Sequence, residues 1–255
     1  MFRSKVASIA FLSAFLLWRN LNPADVFALE GSPSGDFFPD AICKIEYVMN
    51  VSPAEEICTG TLVEKNKILT AGHCEIEAQQ FANKNNWKIV NRIASCEQGK
   101  VTASITKTST PKYLDLGTDN DRAILTLSNK LDIKPVRISF DEKEVLSLLS
   151  NPSTCSLFGY GYKDDVLGKP SSVILKLSDD INSPVDVSDS IIWMDHSTSA
   201  EPGDSGGPLL CKSPQGEWVQ VGISVTPFSQ EQLLLHNVDW LKKNLASHWA
   251  LFSDS

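Results

Sequence analysis

The sequence predicts an all-β protein that ends in one α-helix. Short runs rich in β-branched and aromatic residues recur along the chain, and clusters of Gly, Pro, Asn, Asp and Ser separate them where helices would otherwise stand. From Gln230 to about Trp249 the pattern changes, with Leu233, Leu234, Val238, Leu241 and Leu245 recurring at helical spacing.

Taken in order, the predicted strands begin with Ala41 to Val48, which stops ahead of Asn50 and Pro53. Thr59 to Val63 and Lys67 to Thr70 follow, parted by a turn around Asn66. Trp87 to Ile93 starts after Asn85-Asn86, and Ala123 to Leu127 lies between Asn120-Asp121 and Ser128-Asn129. Beyond these come Ser156 to Phe158, ended by Gly159, and Ser172 to Leu177, begun after Gly168 and Pro170. Ile191 to Met194, Pro208 to Cys211 and Trp218 to Ser224 complete the set, the last two introduced by Gly206-Gly207 and Gly216.

With 255 residues the chain can bury a core without help from a metal or partner. Arg3 and Lys5 precede Val6 to Trp18, an apolar run too short to span a bilayer, and Val26-Phe27-Ala28 offers small residues for a signal peptidase. Residues 1–28 therefore read as a secretory signal; an N-terminal membrane anchor is the competing reading. Its removal takes away three cations and one anion, so the formal charge moves from −8 to −10. So acidic a body argues against nucleic acid and anionic membranes as partners. Six cysteines fit an oxidising compartment, outside the cell or in a periplasm. No C-x-x-C or H-x-x-x-H spacing suggests a metal, and no internal repeat or low-complexity tract is present.

Chemistry concentrates in three places. Leu69-Thr70-Ala71-Gly72-His73-Cys74 presents a candidate base, Asp121 stands at the mouth of the apolar run Ala123 to Leu127, and Glu201-Pro202-Gly203-Asp204-Ser205-Gly206-Gly207-Pro208 presents a candidate nucleophile. A serine hydroxyl attacks poorly until a histidine takes its proton, and a buried carboxylate fixes that histidine's tautomer. The order of His, Asp and Ser excludes the G-x-S-x-G elbow of α/β-hydrolases, in which the acid and the histidine follow the serine. Asp119 competes with Asp121, but the Asp-x-Ala register and the apolar run after it favour Asp121.

These motifs resemble those of the trypsin/chymotrypsin-like serine proteases. Thr70-Ala71-Gly72-His73-Cys74 is similar to the family's T-A-A-H-C, and Asp121-Arg122-Ala123 to its D-I-A, with an unusual Arg. Gly203 to Pro208 is identical to G-D-S-G-G-P. Cys155 to Gly161 is similar to C-x-x-x-G-W-G, and Val238-Asp239-Trp240-Leu241 to the start of the family's terminal helix. The resemblance implies two six-stranded antiparallel β-barrels, over residues 29–135 and 136–255, joined near Leu131 to Phe140, with the active site between them. It implies catalytic His73, Asp121 and Ser205, an oxyanion hole from the N–H groups of Gly203 and Ser205, and no cofactor. It also implies disulfides Cys58–Cys74 and Cys155–Cys211, which leaves Cys43 with Cys96.

Where relatives hold the base of the specificity pocket, this chain has Ser199, with Ser224 and Thr226 on the pocket wall, so cleavage after Lys or Arg is not expected. Relatives pair a newly made N-terminus with the Asp before the nucleophile, here Asp204. Leu29-Glu30-Gly31-Ser32 is a loose counterpart of that terminus and follows directly on the expected signal cut. The expected activity is that of a secreted serine endopeptidase acting on proteins or peptides. A catalytically silent binding protein of the same fold is the alternative, and residue order disfavours an esterase.

Overall fold

The structure, a computed structural model, describes residues 38–51, 55–111, 120–161, 167–177, 185–186, 191–193, 200–225, 232–235 and 245. Six strands of the first half close into a barrel: β1 (Ile42–Met49), β2 (Glu55–Glu64), β3 (Lys67–Thr70), β4 (Ile89–Cys96), β5 (Val101–Ser109) and β6 (Ala123–Leu127). They run in the order β1-β2-β3-β6-β5-β4, with every pairing antiparallel. Closure leaves no edge strand to solvent. Ile45, Leu62, Ile68 and Leu125 share one face of the closed sheet and Ile42 and Leu69 the other, each at most 1% exposed.

The second half forms an eight-stranded sheet. Its members are β7 (Arg137–Ile138), β8 (Cys155–Gly159), β9 (Ser171–Ile174), β10 (Val185–Asp186), β11 (Ile191–Trp193), β12 (Pro208–Lys212), β13 (Trp218–Ser224) and β14 (Gln232–Leu235). The order is β10-β11-β14-β13-β12-β8-β9, while β7 lies parallel to β13. Together the two halves give the chymotrypsin-like architecture, although the ring of strands closes only in the first half among the described residues.

The connection between the halves is itself packed. Leu131 and Val136 donate their N–H groups to Lys65 and Leu62 of the first half, and Ser139 donates to Gln220 of β13. Leu131, Ile133, Val136 and Ile138 are buried along the way. Across the interface Phe158, Tyr160, Leu210, Ile223 and Val225 join the apolar cluster of the first barrel. Phe38 meets the rings of Phe158 and Tyr160 edge-on, at 5.7 and 5.2 Å. Three disulfides, Cys43–Cys96, Cys58–Cys74 and Cys155–Cys211, join strands or hold a helix start.

Several expectations are corrected. Within the segment expected to be helical from Gln230, Gln232–Leu235 form β14, which pairs with β11 and β13; a run of three leucines fits either period, and main-chain pairing on both sides decides for the strand. Of residues 236–249 only Leu245 is described, fully buried in the first cluster. Two helices interrupt the strands where none was expected. Helix α1 (His73–Lys84) buries Ala78 and Ala82, four residues apart on one face. Helix α2 (Glu142–Leu149) is capped by Asp141, whose side chain accepts the N–H of Lys143 at 2.9 Å, and it buries Val145, Leu148 and Leu149. Strand β5 is a further element, not among those expected. The expected signal and Leu29 lie outside the described residues.

Candidate active site

Strand β3 ends at Thr70, and the turn Ala71-Gly72 feeds helix α1 so that His73 is its first residue. Asp121 stands two residues before β6, the direct neighbour of β3 in the barrel. This pairing brings together two side chains 48 residues apart. Asp121 Oδ1 accepts the backbone N–H of His73 at 2.8 Å, and Oδ2 lies 2.8 Å from His73 Nδ1. A carboxylate can only accept, so Nδ1 carries the proton in the neutral ring and Nε2 presents its lone pair. Among the described residues Nε2 has no hydrogen-bond partner. His73 and Asp121 are 2% and 0% exposed. Burial pulls the His73 pKa down, yet the hydrogen bond and charge of Asp121, with Glu77 adding, outweigh it and the net shift is upward.

The loop before β12 supplies the second part. Gly203 takes φ +102° and Gly206 φ +80°, the left-handed region that a side chain resists. A Cβ on Gly206 would also run into Thr70 Oγ1 and the Thr59 carbonyl, so only glycine lets the loop lie this close to the first barrel. Ser205 is half-buried. Its carbonyl accepts the N–H of Thr59 at 2.8 Å and lies 3.8 Å from Cys74 Sγ, which places it beside the residue that follows His73. Gly206 N–H donates to the Ser224 carbonyl, and Ser224 N–H returns a bond to Gly207. Among the described residues no backbone carbonyl takes the N–H of Gly203 or Ser205.

Asp204 points the other way and is 1% exposed. Gly161 N–H donates to its Oδ1 at 2.7 Å and Glu201 N–H to its Oδ2 at 3.0 Å. A Cβ on Gly159 or Gly161 would collide with this carboxyl, which explains the two glycines that frame Tyr160. Burial pushes the Asp204 pKa up to about 7, against the two backbone donors.

The geometry therefore places His73, Asp121, Ser205, Gly203, Asp204 and Ser224 in one region where the two halves meet. Ser199 and Thr226 lie outside the described residues. Among the described residues no group of three or more His, Cys, Asp and Glu side chains could hold a metal ion. Sequence reasoning overlooked Thr59, fully buried on β2, whose hydroxyl donates to the Gly203 carbonyl at 2.7 Å and accepts Tyr160 N–H at 2.9 Å. A threonine at a strand position next to Cys58 and Gly60 carries no pattern that would single it out.

Such an arrangement, a base with a fixed tautomer close to a loop that carries a serine, suits acyl transfer. The family model described as Trypsin matches residues 42–232. Kallikrein 1-related peptidase b8 of Mus musculus is 30% identical over 62% of this chain and 67% of its own length. Chymotrypsin-C of Bos taurus is 24% identical over 74% of the chain and 78% of its own. Atrial natriuretic peptide-converting enzyme of Mus musculus is also 24% identical over 68% of the chain, but the match spans only 16% of that much longer protein.

Proposed function

This chain belongs to the trypsin family of serine proteases, and we propose that it is a secreted serine endopeptidase working through His73, Asp121 and Ser205. The observation that carries the reading is the double contact of Asp121 with His73 next to the Ser205 loop. In the proposed reaction His73 Nε2 takes the Ser205 Oγ proton as Oγ bonds to the peptide carbonyl carbon. His73 then gives that proton to the leaving amine as the C–N bond breaks, and the acyl group stays on Ser205. In the second half His73 takes a proton from water as the water oxygen bonds to the acyl carbon, and returns it to Ser205 Oγ as the acyl C–Oγ bond breaks. Asp121 holds the ring and steadies the imidazolium formed in each half. The N–H groups of Gly203 and Ser205 take the carbonyl oxygen as it becomes negative, an interaction worth about 100- to 1000-fold in rate per donor. No step calls for a metal or cofactor.

Residues 1–28 act, in this reading, as the secretory signal, leaving barrels over 29–135 and 136–255. The product works outside the cell or in a periplasm, where the three disulfides persist. Its substrates are proteins or peptides. Ser199 at the pocket base, with Ser224 and Thr226 on the wall, offers no anion to a substrate Lys or Arg, so small or medium apolar side chains fit better. A free amino group at Leu29 is the proposed partner of buried Asp204; sequencing an active protein whose N-terminus starts well past Leu29 would rule that out.

The test is hydrolysis of a peptide library by protein secreted from its host, with Ser205→Ala as control. Cleavage that vanishes in the variant supports the endopeptidase. Folded, correctly processed protein inert in both forms supports the silent binding protein, and cleavage of esters alone supports an esterase.

A further inference from the structure

We propose that the Thr59 hydroxyl is a positioning group that sets the nucleophile loop against the barrel carrying the base; this rests on the endopeptidase reading above. Three segments far apart in sequence meet at this one oxygen. It donates to the Gly203 carbonyl, 144 residues away, at 2.7 Å. It accepts the Tyr160 N–H, 101 residues away, at 2.9 Å. Main-chain atoms of the same residue complete the junction: Thr59 N–H donates to the Ser205 carbonyl at 2.8 Å, and the Thr59 carbonyl accepts the Thr70 hydroxyl at 2.6 Å. Thr70 is the last residue of β3, three before His73.

The consequences follow from what each bond fixes. Holding the Gly203 carbonyl sets the plane of the Gly203–Asp204 peptide, and with φ +102° at Gly203 it sets where the Gly203 N–H points. Holding the Tyr160 N–H fixes the backbone next to Gly161, whose own N–H binds Asp204. The backbone bonds to Ser205 and Thr70 survive any side-chain change at 59, but the two hydroxyl bonds do not. Thr59 is fully buried, so losing its hydroxyl leaves a carbonyl and an N–H unpaired in a dry site. The loop must then shift to find partners, and a displacement of about 1 Å in a reacting group can cost on the order of 100-fold. Thr59 touches no reacting atom, so its effect falls on the rate of acylation and not on substrate affinity.

Three variants test this: Thr59→Val, which keeps the shape and removes the hydroxyl; Thr59→Ser, which keeps the hydroxyl; and Thr59→Ala. The readouts are kcat and KM on the best peptide and the rate at which a fluorophosphonate labels Ser205, each taken well below the variant's Tm. Expected is a fall of about 100-fold in kcat and labelling for Val, with KM within about threefold, a comparable fall for Ala, and recovery to within about fivefold for Ser. If Val does not fold, the Ser and Ala pair decides by the same criterion. Variants that melt earlier but are labelled and turn over at the wild-type rate would show a merely structural residue and overturn the proposal. Wild-type protein that is neither labelled nor active would instead count against the endopeptidase reading, which keeps the two failures apart.

Discussion

Asp121 holds His73 at two points, the backbone N–H on Oδ1 and the ring Nδ1 on Oδ2, both at 2.8 Å. One carboxylate thus fixes the start of helix α1 and the tautomer of its first side chain together. Asp121→Asn keeps the shape but can present a donor to Nδ1, which favours the tautomer with its proton on Nε2, the wrong nitrogen for a base. Peptide hydrolysis is expected to fall by about 10,000-fold, measured as kcat beside an unchanged far-UV spectrum. A loss below about tenfold would mean that Asp121 does not orient the base.

The acid limb of the pH profile should report the same pair. His73 accepts a proton from Ser205 only when its ring is neutral, and its pKa is shifted upward because Asp121 and Glu77 outweigh the effect of burial. In the wild type kcat/KM is therefore expected to rise with pH through a midpoint above the ordinary 6.5 of histidine. With the carboxylate gone in Asp121→Asn, burial is left opposed only by weaker charges, and the midpoint of the residual activity is expected to move down. A midpoint unmoved by the substitution would assign the limb to another group.

Asp204 makes stability depend on pH in a direction opposite to most carboxylates. Its ordinary value is 3.8 and burial raises it to about 7. Between these values the folded chain keeps a proton that the unfolded chain has released, so stability falls as pH climbs from about 4 to 7. Asp204→Asn carries a pH-independent cost, because the Gly161 and Glu201 N–H groups lie on separate oxygens and the amide NH2 would face one of them donor to donor, but it removes that slope. Urea midpoints at intervals of pH for the chain before N-terminal processing check this. Processed protein whose slope is reversed would show that an ammonium has paired with Asp204.

Much of this was legible in the residues, and the reasons differ from element to element. Strands β3, β6 and β13 have the limits their β-branched runs and bounding turns suggest, and the motifs around His73, Asp121 and Ser205 pointed to one site because their chemistry is local. Helix α1 was hidden because, past His73 and Cys74, its fully buried residues are the alanines Ala78 and Ala82, too small to register as an apolar stripe. Strand β14 was misassigned because neighbours, not its own leucines, settle its conformation. Thr59 could not be found at all, since its role exists only where three distant segments converge.

Gly206→Ala tests how tightly the nucleophile loop is pressed to the first barrel. With φ at +80°, an L side chain costs about 1–3 kcal/mol from the backbone alone. The added Cβ would also stand 2.6 Å from Ala71 N, a main-chain atom in the turn before His73 that has no rotamer to give way. Both denaturation midpoint and fluorophosphonate labelling are expected to drop. A variant as stable as the wild type would mean that the loop can lie farther from Thr70 than it does here.

The Cys58–Cys74 and Cys155–Cys211 disulfides should separate stability from activity. Their sequence separations are 16 and 56 residues, so in the chain-entropy picture loss of the first costs about 3 kcal/mol and loss of the second about 4 kcal/mol. Position argues for the reverse order in catalysis. Cys58 immediately precedes Thr59, which holds the Ser205 loop, and Cys74 immediately follows His73, so their bond ties the base to the anchor of the nucleophile. Cys155 and Cys211 face each other across β8 and β12, whose main-chain pairing would keep them aligned without the bond. Paired Ala substitutions are therefore expected to show the larger drop in urea midpoint for Cys155/Cys211 and the larger drop in kcat, at a temperature where both are folded, for Cys58/Cys74. Equal losses of kcat would mean that the first bridge only stabilises the fold.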